Sequence, residues 1–335
     1  MTPLIFPPDC EADFIGEGAA NVVFHVKRPG GQAAFPGKLL RVPKAGTSAY
    51  SHEELQHYWQ DIVAPLFPKN ELVRQSLIRL TGSGIVPKLN AILAKNEATR
   101  RKDFQGSRVA DAEHGMLVED MRSQNPTDKV IEFKPKWLSQ SRAAPPGATR
   151  CRNCAREAYR ANKNGETLGS SGRWPLCPLR LIHGRDMTCK HEGEGNPECA
   201  FCTLVTNLLL GSGDRTNRGM LQSYRPQLSR WIRKNKLLHR LKSLQVARET
   251  GLDADQELNM TLRDCTCFLR IRADPQQPVE ARLGDLDRKN GSAKREGWHE
   301  MESKLVEGGY YEGTEQPRQR TACWLERFSR EWWER

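Results

Sequence analysis

The feature that most constrains this sequence is a break in it. The apolar run Met116-Leu117-Val118-Glu119-Asp120-Met121 gives way to Arg122-Ser123-Gln124-Asn125-Pro126-Thr127-Asp128, a stretch with turn-forming chemistry. Val130-Ile131-Glu132-Phe133 then resumes as a strand-forming run. A chain of 335 residues, at about 150 residues per domain, is expected to form two lobes. The break places a smaller N-lobe over 1–124 and a larger C-lobe over 125–335. No run of about 18 apolar residues occurs, which rules out a transmembrane helix. The opening segment Met1-Thr2-Pro3-Leu4-Ile5-Phe6-Pro7-Pro8 has neither a basic flank nor a long apolar run, so no secretory leader is expected. The 8 Trp and 10 Phe supply core material, which excludes a fully disordered chain.

In the N-lobe, Phe14 to Gly18, Val22 to Val26, Lys38 to Val42 and Met116 to Met121 read as strands. Ser51 and Glu54 have the spacing of a capping box, which opens a helix reaching about Val63. A second helix is expected over 71–80, and a polar loop over 97–114. In the C-lobe the pattern predicts a strand from Val130 towards Lys136, a loop over 142–149, a helix over 150–163 and irregular structure over 183–202. It also predicts one long helix over 227–248, strands at 267–272 and 279–285, and an amphipathic C-terminal helix carrying Trp324, Trp332 and Trp333. The class is therefore α+β.

The net charge is +11 and the isoelectric point about 9.2. Such a field attracts polyanions: nucleic acid, anionic membrane or a phosphorylated small molecule. Four groups of residues carry chemistry. Gly16-Glu17-Gly18-Ala19-Ala20-Asn21 lies between two strands, where small residues let backbone N–H groups approach a phosphate; the alternative is a plain hairpin turn. Lys134 and Lys136 flank Pro135 at the spacing that puts both on one face of an extended segment, so they either grip an anion or guard a strand edge. Asp264, just before a strand, and Asp285 and Asp287, at the end of another, either hold Mg²⁺ against phosphates or cap turns through salt bridges. Finally, Cys151-x-x-Cys154 and Cys199-x-x-Cys202 have zinc-ligand spacing. Cys189, His191, Cys199 and Cys202 form an alternative ligand set, and reduced free thiols are the third reading.

Taken in order, these motifs resemble the inositol-pentakisphosphate 2-kinases, in their fungal form. Gly16-Glu17-Gly18-Ala19-Ala20-Asn21-Val22-Val23, Leu39-Leu40-Arg41, Glu132-Phe133-Lys134-Pro135-Lys136-Trp137, Arg150-Cys151-Arg152-Asn153-Cys154-Ala155, Cys177-Pro178-Leu179, Arg263-Asp264-Cys265-Thr266 and Asp285-Leu286-Asp287-x-Lys289 carry the likeness. It spans about Phe14 to Trp298, and Glu-x-Lys-Pro-Lys is its most specific piece.

The resemblance implies a two-lobed α+β inositol-polyphosphate-kinase fold, with the active site between the lobes and with ATP and Mg²⁺ as cofactors. It implies transfer of a phosphoryl group to the 2-hydroxyl of inositol 1,3,4,5,6-pentakisphosphate, giving the hexakisphosphate, phytate. It assigns Gly16, Gly18, Ala19, Ala20, Asn21, Arg41, Glu119 and Met121 to the nucleotide, Asp264 to catalysis, and Asp264 and Asp285 to the metal. Lys134, Lys136, Arg150, Arg152, Arg156, Lys289, Lys294 and Trp298 fall to the substrate, with Arg295 as the neighbour that could replace Lys294. A structural zinc on the Cys-x-x-Cys pairs, a monomeric state, no need of membrane or nucleic acid, and residence in nucleus or cytoplasm complete the expectation. The alternative from a different class is a basic, zinc-stabilised nucleic-acid-binding protein. It draws on the isoelectric point, the paired cysteines and the basic helix around Trp231. Against it, aromatic residues are not interleaved with the cations as base stacking requires.

Overall fold

A computed structural model describes residues 3–123, 125–170, 174–187, 189, 199–211, 218–248 and 253–326. No described helix is long and apolar enough to cross a membrane. The chain divides into two compact units, Met1–Arg122 and Ser123–Arg335. Helices and sheets are both present, and the fold is α+β.

The first unit is built on strands β1 (Leu4–Ile5), β2 (Glu11–Glu17), β3 (Asn21–Lys27), β4 (Lys38–Pro43), β5 (Gln75–Arg79) and β6 (His114–Glu119), with helices α1 (His52–Tyr58) and α2 (Ile85–Lys95). The strands form one sheet in the order β1-β5-β6-β4-β3-β2. All neighbours are antiparallel except β1 and β5. Alternation explains β3: Val22, Phe24 and Val26 are buried and join Leu40, Val42, Ile78 and Leu117 in the core. Ile85, Leu89 and Leu93 of α2 recur at helical spacing and enter the same core. The α1 capping box is present: Ser51 Oγ accepts from Glu54 N at 3.2 Å and Glu54 Oε2 accepts from Ser51 N at 2.9 Å. The α-helix then stops at Tyr58 and continues as a wider turn over Trp59–Val63. Within 71–80, expected as a helix, the structure has strand β5 instead. Its buried Ile78 and the buried Leu80 beyond it lie two residues apart, a strand period, and partner strands on both sides override helix propensity.

The second unit holds β7 (Lys129–Phe133), α3 (Arg152–Asn164), α4 (Pro178–Ile182), α5 (Ala200–Leu210), α6 (Arg218–Lys234), α7 (Leu237–Ala247), α8 (Asp253–Asp264), β8 (Thr266–Ile271), β9 (Glu280–Gly284) and α9 (Gly291–Glu307). Its sheet is antiparallel, in the order β7-β8-β9. The helix expected over 227–248 is two helices. The Asn235 side chain bonds Ile232 O at 2.9 Å and Leu238 N at 3.1 Å, ending one helix and starting the next. Helices α2, α5, α8 and α9 were not anticipated from the pattern. The Asn290 side chain accepts from Ala293 N at the start of α9. Trp332, Trp333 and most of the proposed C-terminal helix lie outside the described residues.

Candidate active site

Antiparallel pairing in the second unit does most of the assembly. Phe133 of β7 faces Cys267 of β8, and Thr266 of β8 faces Gly284 of β9. The end of β7, the start of β8 and the end of β9 therefore share one edge of the sheet. Lys134, Asp264 and Asp285 are the residues at or next to those ends.

Lys134 Nζ lies 3.3 Å from Asp264 Oδ1 and 3.1 Å from Asp285 Oδ2, and it donates to Asp264 O at 2.9 Å. Lys136 Nζ reaches Asp264 Oδ1 at 2.8 Å, and Lys289 Nζ reaches Asp264 Oδ2 at 2.9 Å. One carboxylate thus faces three ammonium groups. Burial alone would push the Asp264 carboxyl up, but Lys289, Lys134 and Lys136 hold it well below the usual carboxylate range. Burial pulls Lys134 down, yet Asp285 and Asp264 outweigh it and raise the ammonium above its ordinary value. For Lys136 burial prevails, against Asp264 and with Lys134 and Arg156 adding repulsion, and its ammonium falls below the ordinary value.

The two lysines do not converge as the sequence suggested. β7 ends at Phe133, and Lys136 has φ 58°, in the left-handed region, so a turn brings its side chain back to Asp264. Asp285 also sits there, at φ 55°. Gln245 of α7, fully buried, fixes the first of these turns. Its Nε2 donates to Lys136 O at 2.9 Å and to Leu262 O at 3.1 Å, and its Oε1 accepts from Leu138 N at 2.9 Å. Glu257 of α8 does the same for Lys289: it holds Arg288 Nε at 2.7 Å and Gly291 N at 2.8 Å on either side of it.

The arginines at and just before the start of α3 divide. Arg150, expected to touch substrate, is instead a structural residue: it is fully buried, paired with Glu315 at 2.8 Å, and bonded to the carbonyls of Tyr310 and Gln319. Arg152 pairs with Glu302 at 2.6 Å and lies over the Trp137 ring at 4.2 Å, with Arg263 on the same ring at 3.5 Å. Arg156 is half-buried and makes no hydrogen bond or ion pair with a described residue. Burial and the like charge of Arg152 lower it from its ordinary value, while Asp264 acts on it from the other direction. Lys294 is exposed and Trp298 partly so, one turn apart on α9. Trp137, Gln245, Glu257 and Arg263 were missed from sequence. Trp137 and Arg263 carried a signal, by lying next to Lys136 and Asp264 in the quoted motifs; Gln245 and Glu257 carried none.

In the first unit the glycine segment is a tight hairpin, closed by Gly18 N on Asn21 O at 2.8 Å. A Cβ built on Gly16 or Gly18 meets nothing within 4 Å, and neither has a positive φ, so the chain itself demands glycine at neither position. Glu17 points inward, to Lys44 at 2.6 Å and to Arg100 at 2.7 and 2.8 Å, and all three side chains are buried. Asn21 Oδ1 is 2.8 Å from His52 Nε2. Arg41 is buried on β4 opposite Val23 and Met116. Glu119 accepts from Arg74 N at 3.2 Å, and Met121 is buried.

The cysteines expected as one zinc set fall into two groups. Cys151 and Cys154 lie with Cys177 and Cys323, while Cys199 and Cys202 lie with Cys189. His191, of the alternative set, lies outside the described residues.

Three lysine ammonium groups thus gather around the carboxylates of Asp264 and Asp285. A family model described as inositol-pentakisphosphate 2-kinase matches residues 14–256 and 253–304. The chain belongs to that family. A curated relative from Yarrowia lipolytica (strain CLIB 122 / E 150), named inositol-pentakisphosphate 2-kinase, is 26% identical over 199 residues. The match covers 57% of this chain and 56% of that relative, so the chain spans about half the length of the curated relative it matches.

Proposed function

We propose that the chain transfers the terminal phosphoryl group of ATP to the 2-hydroxyl of inositol 1,3,4,5,6-pentakisphosphate, giving the hexakisphosphate. The observation that carries this reading is the convergence of Lys134, Lys136 and Lys289 on Asp264, with Asp285 sharing Lys134. Five phosphates bring roughly −7 to −10 of charge at neutral pH, at about −1.5 to −2 each. On their arrival the three ammonium groups exchange Asp264 for phosphate oxygens, and Arg156 gains an anionic partner. Asp264, freed but still ionised, orients the acceptor hydroxyl by accepting its hydrogen bond. The new bond joins the 2-oxygen to the transferred phosphorus as the bond to the leaving diphosphate oxygen of ADP breaks, and the hydroxyl proton passes through the Asp264 carboxylate to solvent. Little covalent help is required of the protein in such a transfer.

Asp264 and Asp285 offer carboxylate oxygens to one shared cation, Lys134 Nζ, and hard oxygen donors of this kind suit Mg²⁺. When bound, Mg²⁺ supplies charge neutralisation at the nucleotide phosphates. In the first unit the open space over Gly16 and Gly18 fits a phosphate approaching the backbone. β4 runs from Lys38, opposite Glu119, to Pro43, opposite Asn21. Glu119 and Met121 and the glycine hairpin are therefore at opposite ends of one strand, about 17 Å apart at roughly 3.3 Å per residue. That spacing suits a base at one end and phosphates at the other. The nucleic-acid alternative has no support from the family match.

Purified protein incubated with Mg-ATP and inositol 1,3,4,5,6-pentakisphosphate should yield a hexakisphosphate peak on anion exchange. Asp264→Asn should lower kcat by about 10²–10⁴-fold with an unchanged circular dichroism spectrum. Turnover retained in that variant would remove Asp264 from its role. Folded, ATP-binding protein that makes no product would refute the substrate.

A further inference from the structure

We propose that Glu302 of α9 is a positioning residue: granted inositol pentakisphosphate as the substrate, it aims the Arg152 guanidinium at one phosphate without covering the edge that binds it. Arg152 opens α3 and is enclosed, with 8% of its side chain exposed. Its Nε donates to Glu302 Oε2 at 2.6 Å. Its two terminal amino groups make no hydrogen bond with a described residue. Neither is a sealed atom without a partner, so an anion can reach them.

A carboxylate meets a guanidinium most favourably through two parallel bonds, which here would use up the edge that binds phosphate. Glu302 is kept from that arrangement by its other oxygen. Oε1 accepts from the Tyr311 hydroxyl at 2.5 Å and from Ser141 Oγ at 2.9 Å, so Oε2 alone serves Arg152. Tyr311 is fully buried and packs with Leu305 of α9 and Ala155 of α3. Burial and the Glu302 carboxylate hold its phenol well above the ordinary value, so it stays a donor. Trp137 sets the face of the guanidinium, carrying Arg152 at 4.2 Å and Arg263 at 3.5 Å. Trp137 follows Lys136 and Arg263 precedes Asp264, and Lys136 bonds Asp264 directly. The aimed amino groups therefore belong to the lysine–aspartate cluster, while Glu302 acts on it only through Arg152.

The test titrates the full chain, Glu302→Gln, Arg152→Ala and the double variant with inositol 1,3,4,5,6-pentakisphosphate by calorimetry, without nucleotide. Glutamine can still accept from Tyr311 and Ser141, but it turns an amino group towards Arg152 Nε. Glu302→Gln should weaken binding about tenfold, the worth of one charged hydrogen bond, and raise KM for the inositol phosphate by a similar factor. KM for ATP should stay within about twofold, because the nucleotide does not meet Arg152. In the Arg152→Ala background the same substitution should change affinity less than about twofold, its target being gone. Tyr311→Phe frees Oε1 in part and should weaken binding about two- to fivefold; it carries the test if Glu302→Gln does not fold. Wild-type affinity in Glu302→Gln or in Tyr311→Phe, an additive loss in the double variant, or an equal rise in both KM values would each overturn the positioning role. A wild type that shows this pattern of affinities yet forms no hexakisphosphate would uphold it and refute the proposed transfer.

Discussion

Two clusters of charge in this molecule look alike in sequence and differ in kind. In the first unit Glu17, Lys44 and Arg100 are almost fully enclosed, with side-chain exposures of 5%, 2% and 1%. In the second, Asp264 and Lys134 are 38% and 37% exposed, and Lys136 26%. The first cluster gives its carboxylate a bidentate arginine and a lysine, and it anchors the hairpin it supports. The second surrounds Asp264 with more cation than it can neutralise and leaves Arg156 with no partner among the described residues. Enclosed charge builds the frame of the first unit, whereas the half-open charge of the second is the basis of the proposed substrate site.

Substitutions can break or sharpen that contrast. The largest effect belongs to Arg100→Ala, which strands Glu17 among buried groups. It should cost about 3–5 kcal/mol in urea denaturation and change substrate affinity little once the folded fraction is corrected for. Arg156→Ala should do the reverse. It removes a half-buried cation with no partner among the described residues, so stability should hold or rise, while pentakisphosphate affinity measured by calorimetry drops about tenfold or more, the value of one charged hydrogen bond. Equal stability losses in both variants would erase the distinction.

Gln245→Leu joins the two behaviours. It leaves the Lys136 and Leu262 carbonyls and the Leu138 N–H without their partner, costing about 1–3 kcal/mol. It should also raise KM for the inositol phosphate more than it lowers kcat, because the Lys136 turn loses its brace.

The smallest effect concerns pH. The folded Asp264 pKa is depressed, so its stabilising contribution is complete above the unfolded carboxylate value near 3.9 and is lost only as pH falls through the lower folded value. Titration of Asp264 should therefore leave no inflection between about pH 8 and pH 5 in kcat/KM, which reports the ligand-free site. An inflection that disappears in Asp264→Asn would show the lysines are not holding it ionised.

Local chemistry was legible in the sequence, and long-range chemistry was not. The Ser51–Glu54 box, the glycine hairpin and the strand alternation of β3 depend on neighbours within a few residues. Lys134 and Lys136 stood out by flanking Pro135, Asp264 and Asp285 by their places at strand ends, and Lys289 only through the family resemblance; the structure brings all five within hydrogen-bonding reach. β5 was misread because its period emerges only against its sheet partners. Arg150 looked like its neighbours Arg152 and Arg156, but its enclosure depends on Glu315 and Gln319, about 165 residues away. Cys323 and Gln245 carried no local sign, since each acquires its role from a chain crossing the sequence cannot display.

The left-handed backbone at Lys136 and Asp285 sets stability against use. Glycine or asparagine adopts that conformation more comfortably than lysine or aspartate. Lys136→Gly or Asp285→Asn would thus relax the backbone and firm the fold as it strips the site of charge. Laboratory evolution for thermal endurance alone would drift towards those residues and accumulate sturdy, inert proteins. Keeping lysine and aspartate there requires selecting for chemistry in every generation.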